Sequence, residues 1–99
     1  MKARIEIPQE KIAEFCRRHR IRSLALFGSV LREDFTPQSD VDVLVEFEPK
    51  TVIGLRFFAL EEELSEMFGR KVDLNTPGFL SKHFRDQVIA EAEPLYVAA

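Results

Sequence analysis

The chain has 99 residues but no tryptophan, one tyrosine, one cysteine, two histidines and four glycines. The lone cysteine, Cys16, excludes an internal disulfide and suits a reducing compartment. So few Cys and His side chains cannot build a structural zinc site. No apolar run approaches the roughly 18 residues of a membrane span. The first residues also lack the apolar core of a secretory leader, so a cytoplasmic protein is expected. Positive charge is not in excess either: 14 Lys and Arg against 17 Asp and Glu leave a net charge of −3. That balance argues against direct binding to nucleic acid or to an anionic membrane. The arginines do gather at Arg17, Arg18, Arg20 and Arg22. Their simplest reading is a solvated face near a helix C-terminus, and the alternative is a patch that meets RNA or a partner protein. Internal repeats and low-complexity segments are lacking as well. The length allows one domain over residues 1–99, with no room for a second domain that presents a substrate.

What the chain does have is 45% hydrophobic residues in clear periodic patterns. Pro8 suits the first turn of a helix. After it Ile12, Phe15, Cys16 and His19 recur at helical spacing, predicting a helix over about 8–19 with Cys16 in its core stripe. Arg22 to Phe27 reads as a strand covered on both faces. Gly28 permits a sharp change of direction, and Ser29 can cap a short helix over about 30–33. Thr36-Pro37-Gln38-Ser39 is turn chemistry. From Asp40 to Phe47 the residues alternate: Val41, Val43, Val45 and Phe47 face one way, Asp40, Asp42, Leu44 and Glu46 the other. A helix over about 53–68 carries Phe57, Leu60, Leu64, Met67 and Phe68 inward. Its glutamates Glu61, Glu62, Glu63 and Glu66 read as a plain solvated surface, and Gly69 ends it. A third strand spans about 70–75, with Asp73 opposite Val72 and Leu74. A last helix over about 81–92 is expected to bury Phe84, Val88 and Ile89, and Leu95, Tyr96 and Val97 are expected to add a short edge strand. The predicted class is α+β (or α/β), a small mixed sheet flanked by helices.

Chemistry concentrates between Phe27 and Phe47. Asp40 and Asp42 share one strand face, about 7 Å apart along the chain. If the strand bearing Asp73 pairs beside theirs, three carboxylates can converge. Two unit charges about 4 Å apart repel by roughly 4 kcal/mol at an effective dielectric near 20. That is a large part of a domain's total stability of about 5–15 kcal/mol. A cation is therefore expected, and oxygen donors suit Mg2+ or Mn2+. The Gly28-Ser29 corner, at a strand end that opens a helix, presents N–H groups and a hydroxyl to an anion. Arg32 can bring a guanidinium to the same phosphates. Phosphate donors and metal-binding carboxylates on adjoining elements point to a nucleoside triphosphate held with its metals.

Gly28-Ser29-x-x-Arg32, Ser39-Asp40-x-Asp42 and the later Asp73 together resemble the DNA polymerase β-like nucleotidyltransferase superfamily. Within it the chain is similar to the minimal nucleotidyltransferases (MNT proteins) that act as antitoxins beside HEPN-domain toxins. The similarity extends to Phe47-Glu48-Pro49, the helix around Leu60–Leu64 and Gly69-Arg70-Lys71-Val72-Asp73-Leu74. The resemblance implies the polymerase β-like fold and attack of a hydroxyl on the α-phosphate of a triphosphate. It also implies two Mg2+ ions held by Asp40, Asp42 and Asp73, with Asp73 near the attacking hydroxyl. Gly28 and Ser29 would hold the β- and γ-phosphates, supported by Arg32 and Ser39. The implied activity is Mg-dependent transfer of AMP from ATP to a tyrosine of a HEPN RNase toxin, which it silences. The alternative is an antitoxin that neutralises by binding alone with a residual nucleotide site. Either reading is compatible with a homo- or hetero-oligomer. A third class, a transferase acting on a small molecule or RNA, would use the Arg17–Arg22 patch. Where many relatives have glycine after the motif arginine, this chain has Glu33.

Overall fold

The computed structural model describes residues 8–31, 36 and 39–98. The expectations placed on residues 1–7, on Arg32 and Glu33, and on the middle of the 36–39 turn lie outside the described residues. So does the side chain of Ser29.

The first helix, α1 (Gln9–Arg18), starts one residue later than its pattern implies, because Pro8 forms the N-cap and not the first turn. It buries Ile12, Phe15 and Cys16 completely. Strand β1 (Ile21–Phe27) runs into a 3-10 turn, Gly28–Leu31. Strand β2 (Val41–Phe47) lies antiparallel to β1. Helix α2 (Arg56–Phe68) ends on Gly69 at φ 67°, the left-handed cap its sequence requires. Strand β3 (Val72–Asn75) follows, parallel to β2. A second 3-10 turn, Pro77–Phe79, leads to α3 (Lys82–Glu91), and β4 (Glu93–Val97) returns antiparallel to β1. The sheet order is β3-β2-β1-β4, a mixed α+β arrangement as expected.

The period-two pattern of β2 decides where the layers go. Val41, Val43 and Val45 are fully buried with Leu24, Leu26, Val72 and Leu74 against α1 and α2, whose contributions include Phe15, Leu60 and Leu64. Val30 of the 3-10 turn is anchored in the same core. The opposite sheet face is only partly covered. There Phe27 and Leu44 pack on Val88 of α3. That limited apolar ground explains a difference from the sequence reading. Phe84 and Ile89 are each 50% exposed, and Val88 is the buried residue of α3. That face alternates Leu44 with Asp42 and Glu46, so it offers little further apolar ground. Arg85 fixes the start of the helix, donating from Nε to the Pro77 carbonyl at 2.7 Å and from Nη2 to Leu80 at 3.1 Å.

The acidic helix α2 is not the plain solvated surface its composition suggests. In parallel pairing, alternate N–H groups of the edge strand β3 point away from β2 and need partners. Ser65 Oγ accepts from Val72 N–H at 2.9 Å, and Glu61 Oε2 accepts from Leu74 N–H at 2.8 Å. Glu63 takes Arg18 at 2.8 Å, which ties one of the clustered arginines to α2. This last pair is half-exposed and contributes at most about 1 kcal/mol.

Glu61→Ala should leave the Leu74 N–H without its acceptor and lower stability by about 1–3 kcal/mol. Glu61→Gln, which keeps an acceptor oxygen, should lose less; urea unfolding reads both. Cys16 offers a second check. Burial pushes its thiol up to about 12. The native protein should therefore resist a thiol reagent at about pH 8 and be labelled only on unfolding, as mass spectrometry would read.

Candidate functional site

Strand register assembles the site. Phe27 on β1 pairs with Asp42 on β2, and Asp42 pairs with Asp73 on β3. These three residues form one row across the sheet, on the face that α3 only partly covers. Asp73 is exposed and Asp42 half-buried. The sequence expectation that the Asp73 strand lies beside the Asp42 strand is met.

Gly28 follows Phe27 directly and has φ +77°. Its bare backbone approaches Asp42 so closely that a Cβ would collide with the carboxylate oxygen Oδ2. Two constraints thus require glycine here: a left-handed backbone and the absence of a side chain. The backbone of Ser29 continues the 3-10 turn, while Val30 holds that turn to the core from below.

Asp40 precedes β2. Its Oδ2 lies 4.0 Å from Lys71 Nζ, and Val41 N–H donates to the Lys71 carbonyl at 2.9 Å. Asp40 therefore leans toward a lysine on the neighbouring chain segment. Ser39 closes the preceding turn. Its N–H donates to the Thr36 carbonyl at 2.9 Å, and its Oγ accepts from Thr36 N–H at 3.0 Å. Arg70 reaches the same Thr36 carbonyl at 3.4 Å.

Among the described residues, no three His, Cys, Asp or Glu side chains are already gathered as a metal site. Asp40 and Asp73 are exposed, where two charges 4 Å apart repel by only about 1 kcal/mol, and Lys71 lies beside Asp40, which eases the crowding inferred from sequence. The donor set still fits a hard divalent cation. Asp42 and Asp73 are registered neighbours on one face, Asp40 is two residues from Asp42, and all supply oxygen.

One feature beside this row gave no signal in the sequence. A cavity of about 140 Å³ lies between the Phe27-Gly28-Asp42 corner and α3. Phe84, Gln87, Val88 and Glu91 form its α3 wall. Their spacing of three, four and seven residues puts them on one helical stripe. That stripe mixes an aromatic, an amide, an aliphatic and an acid, so hydropathy alone could not mark it.

Gly28→Ala should lower stability by about 1–3 kcal/mol, since it forces a side chain into the left-handed region. It should also displace Asp42. Adding Asp42→Ala should then recover part of the loss, with a coupling of about 0.5–3 kcal/mol in a double-mutant cycle read by denaturant unfolding.

Comparison with known proteins gives this geometry a context. Over 74 residues the chain is 40% identical to the "Putative protein adenylyltransferase MJ0128" of Methanocaldococcus jannaschii, covering 75% of this chain and 74% of that protein. It is 36% identical over 78 residues to protein adenylyltransferase MntA of Thermococcus cleftensis, covering 79% and 78%. A solved structure described as a "putative minimal nucleotidyltransferase" superposes with a TM-score of 0.71 at 34% identity, over 87% of each chain. Two more distant structures share the fold. A toxin–antitoxin structure with AMP-PNP has a TM-score of 0.73 at 22% identity, over 93% of this chain and 75% of that one. A Shewanella oneidensis complex of a tri-AMPylated HEPN toxin with an MNT antitoxin has a TM-score of 0.65 at 23% identity, over 91% and 70%. The nucleotidyltransferase domain model matches residues 9–96, nearly the whole described chain, and the protein belongs to that family.

Proposed function

We propose that this protein is an antitoxin that transfers AMP from ATP to a tyrosine hydroxyl of a HEPN-domain toxin and so silences it. The carrying observation is the row formed by the Phe27-Gly28 corner, Asp42 and Asp73 across three adjacent strands. Three groups must be handled together in nucleotidyl transfer: leaving pyrophosphate, α-phosphate and attacking oxygen. Three strands offer one position to each. The names of relatives as protein adenylyltransferases, and the fold shared with toxin–antitoxin structures, support the same reading.

In this mechanism Gly28 and Ser29 hold the β- and γ-phosphates at the end of β1. A glycine backbone lets those phosphates approach its N–H groups without steric hindrance. Arg32, the motif arginine three positions after Ser29 in the sequence, adds a guanidinium to the same phosphates, and Ser39 supports them beside Asp40. Asp40, Asp42 and Asp73 would hold Mg2+, which when bound neutralises the phosphate charge and draws the triphosphate onto the carboxylates. Asp73 lies at the acceptor end of the row and takes the proton from the attacking tyrosine hydroxyl. The phenolic oxygen forms a bond to the α-phosphorus as the bond to the bridging oxygen of pyrophosphate breaks. Pyrophosphate leaves with the electron pair. Asp73 is exposed, so an acceptor hydroxyl from another molecule can reach it.

Incubation with the HEPN partner, labelled ATP and Mg2+ should label the partner. Asp42→Asn should cut labelling by at least about a hundredfold, which corresponds to the loss of several kcal/mol of stabilisation at the phosphates. Its melting temperature should stay level or rise slightly, because one negative charge is removed beside Asp73. Absence of label with the parent protein overturns the reading. If Asp42→Asn and Asp40→Asn still neutralise the toxin in cells while labelling is lost, neutralisation is by binding alone.

A further inference from the structure

The transfer steps above use Gly28 and Asp42 on the sheet side of the cavity and leave its α3 wall without a role. We infer that it is the nucleobase pocket, and that Phe84 and Gln87 make it selective for a purine with an exocyclic 6-amino group. This inference rests on the nucleotidyl-transfer reading and names the part of the substrate that reading leaves unplaced.

The direction of the reaction places the base. An in-line displacement needs the attacking oxygen, the phosphorus and the leaving oxygen close to one line. Along the row, pyrophosphate sits at the Gly28 end on β1, the α-phosphate over Asp42 on β2, and the acceptor beside Asp73 on β3. That line runs across the strands. The cavity opens off it, between Phe27, Gly28 and Asp42 on one side and α3 on the other, and no residue of β3 lines it. Its sheet side thus spans the Gly28 and Asp42 positions of the row, next to the α-phosphate and away from the acceptor at Asp73. The nucleoside is the portion of the substrate that must leave the α-phosphate in a direction other than that line.

Size and chemistry agree with a base. About 140 Å³ is roughly ten times the space one buried water needs. Phe27 and Val88 provide apolar ground, both under 10% exposed. Phe84 keeps half its surface in solvent, an arrangement that leaves a ring face available for stacking. Gln87 and Glu91 sit one helical turn apart on the same wall, with Gln87 Nε2 3.5 Å from Glu91 Oε1. That bond is at the limit of hydrogen-bond length, so the amide exchanges it readily for a ligand. A glutamine amide offers one donor and one acceptor, which match the N7 acceptor and the 6-amino donor of adenine. Guanine presents two acceptors at those positions, and its O6 would face both the amide oxygen and the Glu91 carboxylate. The acidic surroundings, Asp42 and Glu91, reinforce the preference for a neutral ring with an N–H donor.

Isothermal titration calorimetry of the full chain with Mg2+ tests this against three probes: ATP, GTP and inorganic tripolyphosphate. The parent should bind ATP more tightly than either other probe. Phe84→Ala should weaken ATP binding by about tenfold, the range of one lost stacking contact, and leave tripolyphosphate unchanged. Gln87→Ala, an exposed substitution that keeps the helix, should bring ATP and GTP to within about twofold of each other. Unchanged ATP affinity in both variants overturns the inference, as does a parent that binds tripolyphosphate as tightly as ATP. An equal loss for ATP and tripolyphosphate in both variants overturns it too, since a base pocket cannot act on a ligand without a base. A parent that binds none of the three instead brings down the transfer reading itself, and this inference with it.

Discussion

The parity of strand β2 is the constraint on which the rest depends. Its side chains alternate between a dry face of valines and a face carrying Asp42. A slip of one residue in either pairing would drive Asp42 into the core and bring a valine to the surface. Burying an unpaired carboxylate costs far more than the stability margin of a domain this small. Apolar packing of Val41, Val43 and Val45 under α1 and α2 therefore fixes the register. The same register then aligns Phe27, Asp42 and Asp73 in one row. The hydrophobic core thus sets the geometry of a polar row on the opposite surface.

Much of this was legible in the residues. Alternation in β2 and β3 identified the strands and the face of each aspartate, because period two is a strong signal when one face is apolar. Gly69 marked the end of α2 for a plain steric reason. Besides the cavity against α3, three features were not legible. Glu61 looks like any solvated glutamate until β3 is known to be an edge strand whose Leu74 N–H faces it. Phe84 and Ile89 look like core residues until α3 is seen to pack on Phe27 and Leu44 through Val88. The leaning of Asp40 toward Lys71 depends on a contact between segments thirty residues apart. Each of these is settled by pairing between distant parts of the chain, and local pattern carries no information about it.

Helix α2 and helix α3 support the row in different ways. The former lies on the core side, and its Ser65 and Glu61 satisfy the outward N–H groups of β3. Those bonds hold the strand that carries Asp73, and they also occupy a sheet edge that would otherwise be open to pairing with another chain. The latter lies on the polar side and touches the sheet mainly through Val88. It leaves the carboxylates open while forming the wall of a cavity beside them. Support from below and partial cover from above leave a surface that is rigid in position yet accessible.

Strand β4 has a different consequence. Residues 93–97 dock beside β1, some seventy positions earlier in the chain, as in the pairing of Ser23 with Val97 and Leu26 with Glu93. Closing so long a loop is entropically costly and tends to come late in folding. During synthesis at roughly 5–20 residues per second, the strand leading into Gly28 must wait several seconds with one flank unpaired. A ribosome carrying most of this chain would hold the glycine corner and all three aspartates already translated, but not yet seated in a finished sheet.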